Sequence, residues 1–225
     1  MAPDPARPPA RQLTETLGFV ATGTALCAEA IGRLDESAFG AETALPGWTR
    51  KHLVAHLAAN AEALVRLLHW ARTGERTPMY ASPEQRNADI QAGALRPGSH
   101  LAQWFSESAA ALDTAATTLP DAAWSAEVVT AQGRTVPARE VGWMRSREVL
   151  VHAVDLGTGL SFADLPEAFL TALQAEIRAK RTAAGEQLDP LIGSLADVTA
   201  HLAGRGSAGV TTPDGAPAPP LSPWL

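Results

Sequence analysis

One cysteine, one tyrosine and five phenylalanines in 225 residues set the first limits on this chain. A lone thiol, Cys27, can close no internal disulfide. Its neighbours Leu26, Ala28 and Ala30 make it read as a small buried residue rather than a nucleophile. Thiol chemistry here would need a thiol from outside the chain. No apolar run approaches the roughly 18 residues of a membrane span. Lys and Arg are not clustered either: the formal charge is −6 and the pI near 5.5, which argues against a nucleic-acid surface. The opening Met1-Ala2-Pro3-Asp4-Pro5 lacks the basic-then-apolar order of a secretory signal, so a cytoplasmic protein is expected.

What the chain does have is alanine and leucine with little β-branching, a composition that favours helix. Apolar periodicity predicts a first helix from Gln12 to Glu36, with Leu13, Leu17, Val20, Ile31 and Leu34 among its buried positions. Leu45-Pro46-Gly47-Trp48 reads as a turn, Thr49 as the N-cap of a second helix to Thr73, and Gly74 as its end. The long connection 75–97 holds a short helical piece near Arg86–Gln91, and connections of that length often cover a site. Ser99 caps a third helix to Leu119. A small hairpin turns at Gln132-Gly133, and a fourth long helix runs from Ala138 to Gly157.

Four long helices predict a four-helix bundle over 11–161, preceded by a disordered Pro-rich segment, 1–10. Helices at Glu167–Ala183 and Ser194–Ala203, with a short ribbon around Val210–Gly215, predict a small C-terminal α+β domain over 162–225. The fold class is therefore mainly α.

The chemistry concentrates in two of these helices. Glu148 and His152 are four residues apart, which stacks a carboxylate and an imidazole on one helix face. His56 lies between Leu53 and Leu57 on the second helix. Two histidines and a carboxylate from facing helices are the usual protein ligands of a catalytic zinc. His52 and His56 are also four apart and form an alternative pair, but His52 lies in the first turn beside Arg50 and Lys51, so His56 is preferred. The plain alternative for Glu148 is an ion pair with Arg145 or Arg147 on a solvated face. The flanking Val149, Leu150 and Val151 argue against it. Asn60 and Asp155 are spaced to orient the two imidazoles from behind.

Several stretches go further than this. Leu45-Pro46-Gly47-Trp48-Thr49 with His56, Arg72-Thr73-Gly74-Glu75 with Pro78-Met79-Tyr80, and Thr130 through Ala138 together resemble the mycothiol-dependent maleylpyruvate isomerases. Trp143-Met144-Arg145 with Arg147-Glu148 and His152 through Leu156 extends the resemblance, which covers about 12–165 and returns at Ala203–Ser207 and Trp224-Leu225. The metal motif alone points only to the wider DinB-like bundles; the stretches around Pro78 and Gln132 are closer to the isomerase.

The resemblance implies a DinB-like bundle, a C-terminal α/β domain, zinc at His56, Glu148 and His152, and a catalytic arginine from the C-terminal domain, for which Arg205 is the best match. A helix-end arginine bonding the last carbonyls is the plain reading of Arg205. It implies mycothiol and a small dicarboxylate as partners. The implied activity converts maleylpyruvate to fumarylpyruvate in gentisate-type aromatic degradation: a thiol adds to the double bond, the bond rotates, and the thiol leaves. Zinc would favour the thiolate or polarise a substrate oxygen, and both roles stay open. A DinB-like mycothiol S-transferase and a non-catalytic zinc-bundle binding protein are the alternatives. Between Ala183 and Ser194 the chain has less strand-forming sequence than the family pattern, so a reduced C-terminal sheet is expected.

Overall fold

Small side chains lay α1 (Leu13–Gly32) against α6 (Glu140–Asp155). A Cβ on Gly23 would meet Val149 Cγ2 at 2.4 Å, and one on Gly142 would meet Thr16 Oγ1 at 2.7 Å, so only glycine permits this approach. Ser146 Oγ donates to the Thr16 carbonyl at 3.0 Å, and Cys27 Sγ lies 3.0 Å from the Val149 carbonyl. The computed structural model describes residues 12–186, 188–206, 208–222 and 224. The disorder expected of 1–10 lies outside them.

This close packing corrects the predicted core face of α1. Its buried residues are Thr16, Phe19, Gly23, Cys27, Ala30 and Ile31, while Leu13, Leu17, Val20 and Leu34 are only half-buried. α1 also stops at Gly32, short of Glu36, because Asp35 caps a separate turn, α2 (Glu36–Phe39), accepting from the Ala38 N–H at 2.7 Å.

α3 (Arg50–Thr73) is the central helix, with Leu53, Val54, Leu57, Leu64 and Leu67 fully buried. Each such leucine contributes about 1.5–3 kcal/mol by leaving water. It ends at Gly74, left-handed at φ 77°, as expected. α4 (Pro83–Ala94) is longer than the predicted piece because Ser82 Oγ accepts from the Gln85 N–H and Pro83 pre-sets the first turn. α5 (Gly98–Thr117) begins with Pro97, not Ser99, at the capping position.

The hairpin forms as predicted. β1 (Glu127–Val129) pairs antiparallel with β2 (Thr135–Pro137), Val128 opposite Val136, and Gly133 turns the loop at φ 76°. α1 pairs with α6 and α5 with α3, whereas α1 and α5 touch little. Between them lies a mostly apolar cleft of about 490 Å³, and Leu17 and Val20 line it.

The chain divides after Thr158 into this bundle and a second compact unit from Gly159 onward. In the second unit α7 (Glu167–Ala183) packs on α8 (Leu195–Leu202), which Ser194 caps at 3.1 Å from the Asp197 N–H. Its β content among the described residues is two bridges, Ile192 to Thr211 and Thr211 to Pro217, in place of a continuous ribbon. No helix among the described residues is long and apolar enough to cross a membrane.

Candidate metal centre

α3 enters the bundle through a capping box in which His52 takes the side-chain role. Its Nδ1 lies 3.2 Å from the Thr49 N–H and 2.8 Å from Thr49 Oγ1, and its Nε2 is 3.2 Å from Gln91 Oε1. His52 is thereby occupied in starting the helix. One turn later, His56 faces the interior at 4% exposure. Its Nε2 is 2.8 Å from Glu148 Oε2, and the same oxygen is 3.4 Å from His152 Nε2.

One ligand atom from each of His56, Glu148 and His152 lies within 4.8 Å of the others. The two imidazoles meet edge to face, 5.2 Å between centroids at 85°, and Trp48 packs edge-on against His56 at 5.4 Å.

The donor set fits a divalent zinc. Two imidazole nitrogens and one carboxylate oxygen, from two rigid helices, leave a position for a substrate or thiol. Behind His152, the buried Asp155 places Oδ2 2.8 Å from Nδ1, the geometry that would hold a ring proton there and leave Nε2 to a metal. Asp155 thus contacts the imidazole it was expected to orient. Asn60 is placed otherwise: its Oδ1 accepts from Arg145 Nη1 at 2.9 Å, and His56 Nδ1 instead faces Arg86 Nη2 at 3.3 Å. Arg145 outcompetes the imidazole because a fully buried guanidinium needs every acceptor in reach, and it takes the Leu57 carbonyl as well, at 2.7 Å.

The protonation balance follows from these contacts. Burial alone would raise the Glu148 pKa, yet the hydrogen bonds to His152 and His56 hold it well below the usual carboxylate range. Burial pushes His56 below its ordinary value, which keeps it neutral and ready to donate. For His152 burial acts downward, but Asp155 and Glu148 outweigh it and raise the pKa. Burial lowers Arg145 to about 10, so it stays charged at neutral pH.

His56 and Glu148 form part of the wall of a cavity of about 620 Å³. Tyr80 enters it because Arg66 pins the preceding loop, donating from Nε and Nη2 to the Met79 carbonyl at 2.9 and 2.6 Å. Val129 through Gly133, the turn of the hairpin, supply another side. Both stretches singled out around Pro78 and Gln132 thus line one cavity. Arg86 and Arg147, not among the candidate site residues read from the sequence, also line it. Ser82 followed by Pro83 was the available signal for Arg86, since it starts α4 early enough to put Arg86 in the first turns.

Arg205 follows α8 between Gly204 and Gly206, at φ 70° and 117°. Its Nη1 donates to the Ala203 carbonyl at 2.8 Å, the contact of a helix-end arginine. Cys27 is fully buried, as expected, and its thiol is pushed up to about 12.

Comparison with known proteins points the same way. Residues 20–157 match the family model described as the mycothiol maleylpyruvate isomerase N-terminal domain. A crystal structure of the mycothiol-dependent maleylpyruvate isomerase is 44% identical, covers 95% of this chain and 98% of its own, and superposes with a TM-score of 0.90. A variant of that enzyme with one histidine replaced by alanine is 43% identical over the same shares, also with a TM-score of 0.90. No curated protein matches. The chain belongs to the mycothiol maleylpyruvate isomerase family, and its mainly helical fold is the DinB-like bundle with a small second unit.

Proposed function

We propose that this protein is a zinc- and mycothiol-dependent cis–trans isomerase that converts maleylpyruvate to fumarylpyruvate in gentisate-type aromatic degradation. The observation that carries the reading is the convergence of His56, Glu148 and His152, with His56 and Glu148 on the wall of a cavity built by the isomerase-like stretches. Zinc held by these three would supply Lewis acidity, and mycothiol would supply a thiol able to add to the substrate double bond and leave again after rotation.

The chain's own residues prepare the site. Asp155 fixes the His152 tautomer at 2.8 Å, and Glu148 stays ionised because both imidazoles face its Oε2. Trp48 packs on the His56 ring and keeps it edge-on to His152. The buried Cys27 does not compete as a nucleophile, which fits a borrowed thiol. Arg205 is the proposed cationic contribution of the second unit; its flanking glycines leave the backbone open to a ligand.

The test is loss of maleylpyruvate absorbance with mycothiol present in catalytic amounts. Turnover without net thiol consumption supports the isomerase. Stoichiometric consumption of thiol would make the protein an S-transferase, and absence of turnover with any electrophile would leave a binding protein. Arg205→Ala is expected to slow turnover without releasing zinc; an unchanged rate returns Arg205 to its capping role.

A further inference from the structure

The wall of the 620 Å³ cavity carries three arginines, Arg76, Arg86 and Arg147, against one acid, Glu148. Arg86 is in contact with a proposed ligand, 3.3 Å from His56 Nδ1. Its other contacts are with the Asn87 side-chain oxygen at 3.3 Å and with Tyr80, whose hydroxyl it hydrogen-bonds and whose ring centroid lies 5.8 Å from the guanidinium carbon. No carboxylate among the described residues lies within ion-pair distance of it.

Such an arrangement is electrostatically incomplete. A dication held by His56, Glu148 and His152 keeps a positive charge after Glu148 is counted, and Arg86 faces it across the His56 ring. Like charges separated by one imidazole in a half-buried wall repel by more than they would in water. The first turn of α4, with Ser82 and Pro83 on the same wall, adds the positive end of its helix dipole. An anion beside Arg86, on the cavity side of the His56 ring, removes the conflict, and the planar fork of a guanidinium matches a carboxylate in two hydrogen bonds.

We infer that Arg86 is the carboxylate anchor of this site, gripping one end of a dianionic substrate beside His56. The inference rests on the isomerase reading of the cavity and assigns a residue of the bundle itself to substrate recognition. Tyr80 stacks against the guanidinium and limits its rotamers, so the anchor is held in place before the ligand arrives.

The test uses maleate, a cis dicarboxylate lacking the ketone, titrated calorimetrically into zinc-loaded wild type, Arg86→Met and Arg86→Lys. Maleate is expected to bind the Met variant at least tenfold more weakly and the Lys variant with an intermediate affinity. Zinc content by elemental analysis stays equal in all three, and KM for maleylpyruvate rises more than kcat falls. Maleate affinity of Arg86→Met within twofold of wild type overturns the inference, as does absence of maleate binding to wild type. Loss of zinc from Arg86→Met also overturns it, since Arg86 would then be holding His56 rather than substrate. The two readings fail separately: Arg86-dependent maleate binding without isomerisation sinks the isomerase alone, while normal turnover with an unchanged KM in Arg86→Met sinks the anchor alone.

Discussion

The bundle and the C-terminal unit each bury an arginine almost completely, and they treat it differently. Arg181, at 4% exposure, donates to the Leu202 carbonyl, the Ser222 carbonyl and Glu186, so its guanidinium binds α7 to the end of α8 and to the chain terminus. Arg145, at 1% exposure, is satisfied through Nη1 alone; its Nε and Nη2 have no hydrogen-bond partner among the described residues. Arg181 is a fastener with its charge paired. Arg145 bridges α3 to α6 one turn before Glu148 and leaves part of its hydrogen-bonding capacity unused, as polar groups near functional centres often do. Burial alone therefore does not mark a functional arginine; the count of its partners and the chemistry nearby do.

The largest expected effect falls on the bundle. His56→Ala is expected to lower zinc affinity roughly 100-fold or more while far-UV circular dichroism still reports a folded bundle. Zinc retained at wild-type affinity would reassign the ligand to His52 and break the account of His52 as a helix cap.

The two arginines can then be set against each other. Arg181→Met leaves the Leu202 and Ser222 carbonyls without their donor and Glu186 without its partner, which is expected to cost about 3 kcal/mol in urea unfolding with zinc content unchanged. Arg145→Met removes two unpaired nitrogens together with the charge, so its stability cost is expected to be nearer about 1 kcal/mol, with a measurable change in zinc affinity. Equal stability losses, or a zinc effect from the Arg181 variant only, would dissolve the contrast.

A smaller effect concerns pH. Zinc would bind His152 without its proton, and Asp155 and Glu148 stabilise that proton, raising the pKa. Zinc affinity is therefore expected to be full above this raised pKa and to fall about tenfold per pH unit below it. Asp155→Asn should shift that fall to lower pH and weaken binding at high pH by about tenfold. An unmoved pH profile in the variant would show that Asp155 does not set the His152 proton. The smallest effect is at Cys27: with its thiol pushed up to about 12 and no exposure, it should resist iodoacetamide at neutral pH until the bundle unfolds.

Legibility from sequence followed locality. The helix end at Gly74, the hairpin at Gly133 and the cap at Thr49 are written in a few adjacent residues, and each forms where it was expected. Glu148 and His152 lie within one helix, so their shared face was readable; that they meet His56 depends on α3 and α6 crossing at the right height, which spacing alone does not give. Asn60 went to Arg145 because the demand of a buried guanidinium is invisible until its burial is known. The α1 core face was misplaced for a related reason. Gly23, Gly142 and Ser146 permit a close helix contact, so small residues face inward and Leu17 and Val20 are left at the cleft.

Whether His56, Glu148 and His152 share one divalent ion is decided by anomalous X-ray diffraction from zinc-loaded crystals across the zinc edge. The account predicts a single strong peak about 2.0–2.2 Å from a nitrogen of His56, a nitrogen of His152 and a carboxylate oxygen of Glu148. A peak coordinated by other residues, or none at this position in zinc-saturated crystals, would contradict it.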